Sequence, residues 1–229
     1  MLSINPLVDN ADTSLEEVYK KVIPEAEEVR IATGYFYLSG FDIYKEDLKN
    51  LTDPDNCGYA PMRILMGRQT NPETAAEIEE GQNLRETFKQ ELKEDIEELN
   101  NAQVGRLNRL REFIAERLVD IRVRNPENGY FHAKGAAFRG ELEDGEEPAG
   151  EDELDNRPCV TIVGSSNFSQ SGHRNNIELN LTSRDPYKAQ AFEDWYDNQW
   201  ANAEEFSDEI VRIIENSDKY QDWKEKQEE

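Results

Sequence analysis

The spacing of hydrophobic positions divides the chain into segments with two different periods. Ser14 followed by Glu17 forms a capping-box sequence ahead of apolar residues at helical spacing, which predicts a first helix from Leu15. Apolar positions three or four residues apart predict further helices in the segments 40–51, 72–99, 107–114, 192–200 and 206–214. Segments that are rich in β-branched and aromatic residues, or that alternate in polarity, predict strands at 29–38, 62–67, 119–124, 129–138, 159–164 and 176–181.

This alternation of strands and helices is typical of an α/β protein. The 229 residues suffice for one sizeable core, and no internal repeat is visible. We therefore predict one domain over residues 1–205, followed by a helical tail or linker over 206–229. Residues 140–158 consist almost entirely of Glu, Asp, Gly and Pro, which predicts an acidic surface loop inserted into the domain.

Acidic residues outnumber basic ones by 50 to 26, and the formal net charge is -24. Because the acidic excess is spread along a chain with periodic apolar blocks, it favours a folded halophilic protein over a disordered one. In about 1 M salt the Debye length is roughly 3 Å, so self-repulsion is screened. An acidic protein from an ordinary cytoplasm is the alternative. The sign of the net charge says little about the substrate, because molar salt also weakens binding driven by counterion release.

Two absences in the sequence bear on location and metal content. No basic and apolar leader begins the chain and no long apolar window occurs, so we expect a cytoplasmic protein without membrane contact. Cys57 and Cys159 show no ligand spacing, and we expect neither a disulfide framework nor a zinc site.

Three short elements carry candidate chemistry. His132 and Lys134 are two residues apart in a predicted strand, so both side chains project from the same face, although such a pair also arises by chance. Ser165 and Asn167 follow the strand 159–164 and offer a hydroxyl and an amide toward one spot, although Ser/Asn turns end many strands. Glu178 stands between apolar neighbours, where a carboxylate can hold an imidazole proton.

Together, "HAK" at 132–134, "GSSN" at 164–167 and Glu178 resemble in order and spacing the signature of the phospholipase D-like superfamily of phosphodiesterases. The resemblance covers roughly residues 25–200. It implies a mixed β-sheet flanked by helices on both faces, with a C-terminal helical tail. It also implies metal-independent phosphodiester hydrolysis without a cofactor, because a lysine and polar donors take the place of a metal cation.

The resemblance assigns a role to each motif residue. His132 is the nucleophile that forms a phosphohistidine, and Glu178 orients it and stabilises its cationic form. Lys134, Asn167 and Ser165 hold the non-bridging oxygens of the phosphate and offset the charge that develops in the transition state. Ser166 lies in the same motif and is a further candidate for substrate binding.

The sequence departs from the family pattern at two points. The family motif continues H-x-K-x-x-x-x-D, and Arg139 stands at the position of that Asp. Family sites also use two histidines, whereas this chain has one motif, and His173 has no lysine two residues on and is interpreted as a loop residue. Single-motif members complete their site by forming a two-fold dimer, so we expect an isologous homodimer.

The substrate is the least determined part of the hypothesis. No basic amphipathic helix favours a phospholipid, and single-motif members are commonly nucleases, so we expect nucleic acid, with DNA favoured over RNA. Tyr35 is a candidate for base stacking, although it can equally belong to the core, and Arg68 is a candidate phosphate contact. The segment 192–217 also resembles regions that join such domains to helicases.

Two other classes of function remain open. One is a degenerate domain of the same superfamily, which binds nucleic acid or dimerises within a helicase or defence system without cutting. The other is a structural α/β domain in which the motif arose by chance. His132→Ala would change only the stability of such a structural domain.

Overall fold

The computed structural model describes residues 4–34, 44, 48, 60–67, 84–97, 99–124, 131–141, 153–169 and 171–228. Within these residues, eight strands form one mixed sheet in the order β1-β7-β6-β5-β2-β3-β4-β8. The strands are β1 (Leu7–Val8), β2 (Glu28–Thr33), β3 (Met62–Met66), β4 (Val119–Arg124), β5 (Gly135–Arg139), β6 (Cys159–Gly164), β7 (Asn180–Ser183) and β8 (Ala203–Glu205). Strand β3 pairs in parallel with β2 and with β4, and the other pairings in the sheet are antiparallel.

Helices cover both faces of this sheet. Successive side chains of each strand point to opposite faces, so each face contributes residues that pack against a helix. On one face, Tyr19 of α1 (Leu15–Val22) contacts Phe138 edge to face at 5.1 Å between ring centroids. On the other face, Tyr196 of α4 (Pro186–Ala201) packs in one cluster with Ala32 and Leu65, and its hydroxyl donates to a backbone carbonyl of β3 at 2.8 Å. The predicted fold class, a mixed sheet flanked by helices on both faces and followed by C-terminal helices, is confirmed.

The chain divides into two compact units, Met1–Arg68 with Arg117–Glu205, and Gln69–Glu116 with Phe206–Glu229. The first unit contains the sheet, α1 and α4. The second contains α2 (Leu84–Glu97), α3 (Asn101–Ala115), α5 (Ser207–Glu215) and α6 (Asp218–Glu228). Inside the second unit, the Tyr220 hydroxyl donates to the amide oxygen of Asn108 at 2.8 Å.

Several predicted elements have different bounds in the structure. The N-cap is confirmed, since the Ser14 hydroxyl accepts the Glu17 N–H at 3.2 Å. The predicted strand 129–138 is shorter: β5 begins at Gly135, so His132 precedes it. The predicted strand 176–181 begins only at Asn180, so Glu178 precedes β7. Strands β1 and β8, of two and three residues, are too short for a periodicity to predict them. The predicted helix 40–51 lies almost wholly outside the described residues.

Candidate functional site

His132 and Lys134 form a close pair immediately before β5. Lys134 Nζ lies 2.9 Å from His132 Nε2 and 3.2 Å from the His132 carbonyl oxygen. An ammonium group has only N–H donors, so Lys134 donates to Nε2, and the imidazole proton is left on Nδ1. Phe131 and Ala133 instead pack against the cluster beneath α4. The predicted alternation of faces therefore holds, although these residues precede the strand.

Asn167 reaches this pair from the loop that follows β6. The loop crosses over the start of β5, because β5 lies between β6 and β2 in the sheet, and the Phe168 N–H donates to the Thr33 hydroxyl of β2 at 3.0 Å. The Oδ1 atom of Asn167 is buried and has no hydrogen-bond partner among the described residues. An unpaired buried acceptor is costly, and such atoms are concentrated at sites of strain or function.

Gly34 is the point at which these three side chains meet. It is buried directly after β2. A Cβ atom built on it would lie 3.1 Å from His132 Cδ2, 3.1 Å from Lys134 Nζ and 3.3 Å from Asn167 Oδ1. Sequence reasoning missed this residue, although a glycine inside the predicted strand 29–38 was a signal that other groups approach the backbone closely there.

Ser165 and Glu178 form a second pair beside the first. The Ser165 hydroxyl donates to the Glu178 carboxylate and accepts the Leu179 N–H at 3.1 Å. The other carboxylate oxygen of Glu178 accepts from the side-chain amide of Asn176 at 3.4 Å. The described hydrogen bonds of Glu178 thus fix Ser165. The negative charge of Glu178 also acts to raise the pKa of Lys134.

Ser166 points inward, in contrast to Ser165. It is 7% exposed, and its hydroxyl accepts from the side-chain amide of Asn180 at 2.9 Å. The described contacts of Ser166 therefore hold the turn after β6. The two remaining sequence candidates, Tyr35 and Arg68, lie outside the described residues.

Burial and charge shift the pKa values of the central pair. Desolvation, and then the positive charge of Lys134, lower the pKa of His132 below its usual value. Desolvation also lowers the pKa of Lys134, and Glu178 partly opposes this effect. At neutral pH the His132 imidazole is therefore neutral and its Nε2 lone pair faces a positive group. A neutral imidazole is the form that can attack an electrophile or accept a proton.

Arg139 occupies the opposite end of β5 from His132. It is fully buried, and its Nε and second terminal nitrogen each donate to a different carboxylate oxygen of Glu193 in α4 at 2.8 Å. A further guanidinium nitrogen donates to the Asp155 carbonyl at 2.8 Å. Desolvation acts to lower the pKa of Arg139, but the Glu193 carboxylate outweighs it and raises the pKa. The position that departs from the family motif is thus the centre of a bidentate buried ion pair.

His173 does not join His132. It lies in a single π-helical turn, Ser171–Asn175, is 1% exposed, and packs its ring against Tyr19, Tyr44 and Phe168. Its Nδ1 is hydrogen-bonded to the Tyr44 hydroxyl. Burial lowers its pKa from 6.5 to about 3. The interpretation of His173 as a loop residue gives way to that of a core residue under the loop that carries Asn167.

Two further properties of the described part of the chain concern metals and membranes. No group of three or more His, Cys, Asp or Glu side chains in that part is arranged to hold a metal ion. No helix in that part is long and apolar enough to cross a membrane.

Residues 19–200 match a protein-family model described as "Cardiolipin synthase, PLD-like domain". No curated protein matches the chain. Among solved structures, the chain is similar to Nuc, a phospholipase D family member from Salmonella typhimurium, with 13% identity, a TM-score of 0.49, and coverage of 87% of this chain and 95% of that chain. It is also similar to NucT from Helicobacter pylori, with 16% identity, a TM-score of 0.44, and coverage of 84% and 91%. A phosphatidylserine synthase from Haemophilus influenzae Rd KW20 matches with 12% identity, a TM-score of 0.47, and coverage of 95% and 45%.

Proposed function

Because the family model spans residues 19–200, the chain belongs to the PLD-like domain family, and we propose that it is a phosphodiesterase that cleaves nucleic acid, DNA in preference to RNA, at His132. The observation that carries the proposal is the convergence on the single position Gly34 of a neutral imidazole, an ammonium group and an amide whose oxygen has no partner among the described residues. This arrangement suits attack on a phosphodiester, which needs a nucleophile beside groups that stabilise negative charge.

The reaction begins with attack by His132. In the resting site Lys134 donates to Nε2, and an entering phosphoryl oxygen takes that ammonium group as its partner and frees the lone pair. Nε2 then forms a bond to phosphorus as the bond from phosphorus to the leaving oxygen breaks, and the leaving oxygen takes up a proton. Water attacks the resulting phosphohistidine, loses a proton, and releases the phosphate monoester and His132.

Lys134 and Asn167 hold the substrate through this sequence, and Ser165 joins them if its hydroxyl turns from the Glu178 carboxylate to the phosphate. Lys134 Nζ and Asn167 Oδ1 lie 3.1 and 3.3 Å from the position of a Cβ on Gly34, and a half-turn of the Asn167 amide would bring its Nδ2 donor to the same place, so that one phosphoryl group could accept from both side chains. Donors fixed before the reaction stabilise the developing charge without reorganising, and this is the role that a metal cation has in other phosphodiesterases. We therefore propose that cleavage needs no metal and no cofactor.

The proton for the leaving oxygen is proposed to come from a second copy of the chain. The chain contains two histidines, and His173 is buried in the core, so His132 of a partner is the remaining imidazole. Glu178 is proposed to orient an imidazole at this shared site while Ser165 holds its carboxylate.

An exposed apolar row beside Ser165 supports such an isologous dimer. The register places Leu7, Leu181 and Val163 side by side on β1, β7 and β6, and Leu179 and Ile177 continue the row along the chain before β7. Leu181 is 61% exposed and Ile177 is 94% exposed. In a chain with a net charge of -24, this uncharged surface allows two copies to approach without facing carboxylates.

The dimer is tested by light scattering in molar KCl. We expect a dimer for the wild type and a monomer for Leu181→Glu, which places a charge in the apolar row. Tyr187→Glu is the matched control, because Tyr187 is a 72% exposed apolar residue on α4 outside the row, and it should remain dimeric. A monomeric wild type would remove the shared site from the proposal.

The activity is tested with labelled single-stranded DNA, double-stranded DNA and RNA in molar KCl with EDTA. Wild type should cleave DNA in the presence of the chelator, and quenching with denaturant at alkaline pH, where a phosphohistidine is stable, should trap labelled DNA covalently on the protein. His132→Ala should lose both cleavage and trapping, while Lys188→Ala, which removes an exposed charge on α4, should keep both. Cleavage by His132→Ala at the wild-type rate would refute the nucleophile.

A non-cutting domain is the second candidate, and Arg139 favours it. Where the family motif has an Asp, this chain has a buried pair with Glu193, which serves stability. In that case wild type and His132→Ala would both bind DNA, neither would cut it, and the domain would act as a binding or dimerising module within a helicase or defence system.

A further inference from the structure

Gly34 lies at the centre of the site although it has no side chain. The three groups around its α-carbon come from the segment before β5 and from the loop after β6, and they are 3.1 to 3.3 Å from the place where a Cβ would be. Carbon atoms prefer neighbours at about 3.5–4.0 Å. A single methyl group at this position would therefore push His132, Lys134 and Asn167 outward by a few tenths of an ångström.

The backbone conformation does not explain the glycine. Gly34 does not have a positive φ angle, so an L-residue could adopt its backbone conformation. The space above its α-carbon is what a side chain would fill. Glycine at this position is thus favoured by the close approach of the three groups.

Two contacts hold those groups over Gly34. The pairing of Ala32 with Gly135 puts Lys134 and then His132 just beyond the end of β2. The hydrogen bond from the Phe168 N–H to the Thr33 hydroxyl puts Asn167 above the same end. Both contacts involve β2, so the end of this strand positions His132, Lys134 and Asn167 together.

We propose that Gly34 is a positioning residue, whose missing side chain sets the spacing of His132, Lys134 and Asn167 so that one phosphoryl group can contact all three. The proposal rests on the proposed function for its catalytic consequence. Its structural consequence concerns anion binding and can be measured in a protein that cuts nothing. The groups that a methyl would meet are the ends of side chains, so the fold should survive while the site opens.

Gly34→Ala is the test variant and Gly140→Ala is its matched control. A Cβ on Gly140 would lie 3.2 Å from the Glu25 carbonyl oxygen and 3.4 Å from Pro158 Cβ, so the crowding is similar. Gly140, however, follows the opposite end of β5 from His132. A difference between the two variants therefore reports the site and not the cost of adding a methyl group.

The first readout is NMR of the two histidine rings during a titration with inorganic phosphate. His132 faces the site and His173 is buried, so each ring reports a different region. In Gly34→Ala we expect phosphate affinity at His132 to fall by about tenfold or more, with His173 unshifted. Gly140→Ala should bind phosphate as the wild type does. Equal affinity in Gly34→Ala and wild type would overturn the proposal.

The second readout is steady-state kinetics on a small phosphodiester. Misplacing reacting groups by less than an ångström should lower kcat of Gly34→Ala by roughly tenfold to a hundredfold, with a smaller change in KM. A loss of kcat in Gly140→Ala as large as in Gly34→Ala would contradict a positioning role.

The two readouts separate this proposal from the proposed function. If wild type cleaves no phosphodiester but phosphate binding at His132 is lost in Gly34→Ala, the proposed activity fails and the role of Gly34 stands. If phosphate does not shift the signals of wild-type His132, the pKa of His132 in the three proteins tests the role of Gly34 instead. A pKa that differs between wild type and Gly34→Ala but not in Gly140→Ala supports the proposal, and an unchanged pKa overturns it.

Discussion

Moderate acid should destabilise this protein through the buried imidazole of His173. The ring is 1% exposed, its centroid lies 4.8 Å from that of Tyr19, and its Nδ1 pairs with the Tyr44 hydroxyl. The nearest opposite charge, Glu16, is itself paired with Arg174, so it does little to favour a protonated His173. Burial consequently lowers the pKa to about 3, against 6.5 for the exposed group.

The sign and size of the effect follow from proton linkage. Between these two pKa values the unfolded chain binds a proton that the folded chain does not, so stability is lost as the pH falls from 6.5 toward 3. At about pH 5 nearly all unfolded chains carry this proton, and one pKa unit corresponds to about 1.4 kcal/mol. The expected loss at His173 between about pH 7 and pH 5 is therefore about 2 kcal/mol.

The assay is urea unfolding of wild type and His173→Asn at both pH values in the same molar KCl. Asparagine places an amide where Nδ1 pairs with the Tyr44 hydroxyl, so it can take either role in that hydrogen bond, but it does not titrate. Contributions from the many carboxylates are common to both proteins and cancel in the difference. Wild type should lose about 2 kcal/mol more than the variant on acidification. Equal losses, or a His173 ring that titrates near 6.5 by NMR, would refute the reasoning.

Three further outcomes follow from other features. Lys134→Met should raise the pKa of His132, because the Lys134 charge is one cause of its lowering, and an unchanged NMR titration would contradict this. Arg139→Ala leaves the Glu193 carboxylate buried without its partner and should cost about 3–5 kcal/mol of unfolding free energy in urea, whereas a loss below about 1 kcal/mol would show the pair to be dispensable. Raising KCl from dilute to molar should raise Tm, because it screens a net charge of -24, and a constant Tm would argue against a halophilic protein.

The sequence predicts the sheet well wherever a strand is long and apolar. The segments 62–67, 119–124 and 159–164 become β3, β4 and β6 with bounds within one residue. The pairing of His132 and Lys134 on one side also follows from the alternation, although the ladder between β2 and β5 ends at the pair of Ala32 with Gly135. Alternation depends on the backbone conformation of the segment itself, whereas strand assignment depends on a partner. The extent of a strand is therefore harder to predict than the side on which a residue lies.

The burial of β7 shows what an alternating pattern cannot decide. In 176–181 the apolar positions would ordinarily face the core, but Leu181 is 61% exposed and Asn180 is 2% exposed. The buried amide of Asn180 is satisfied, because it donates to the Ser166 hydroxyl at 2.9 Å. Which face of a strand is covered depends on segments distant in sequence, here the loop after β6. The proposed role of Gly34 has the same origin, since it depends on two segments more than 90 residues away along the chain.

The two ends of β5 carry different features, with the reactive pair at one end and the buried ion pair at the other, and this separation makes the protein a convenient scaffold for engineering. The reactive pair precedes the strand, the buried Arg139 ends it, and the acidic insertion of residues 140–158 enters directly afterwards. With about 3.3 Å per residue, Gly140 lies roughly 25 Å along the chain from His132. A fluorophore, an affinity tag or a foreign peptide grafted into the insertion would therefore join the protein well away from the reactive pair. Such a graft could follow the protein in cells without altering the groups around Gly34.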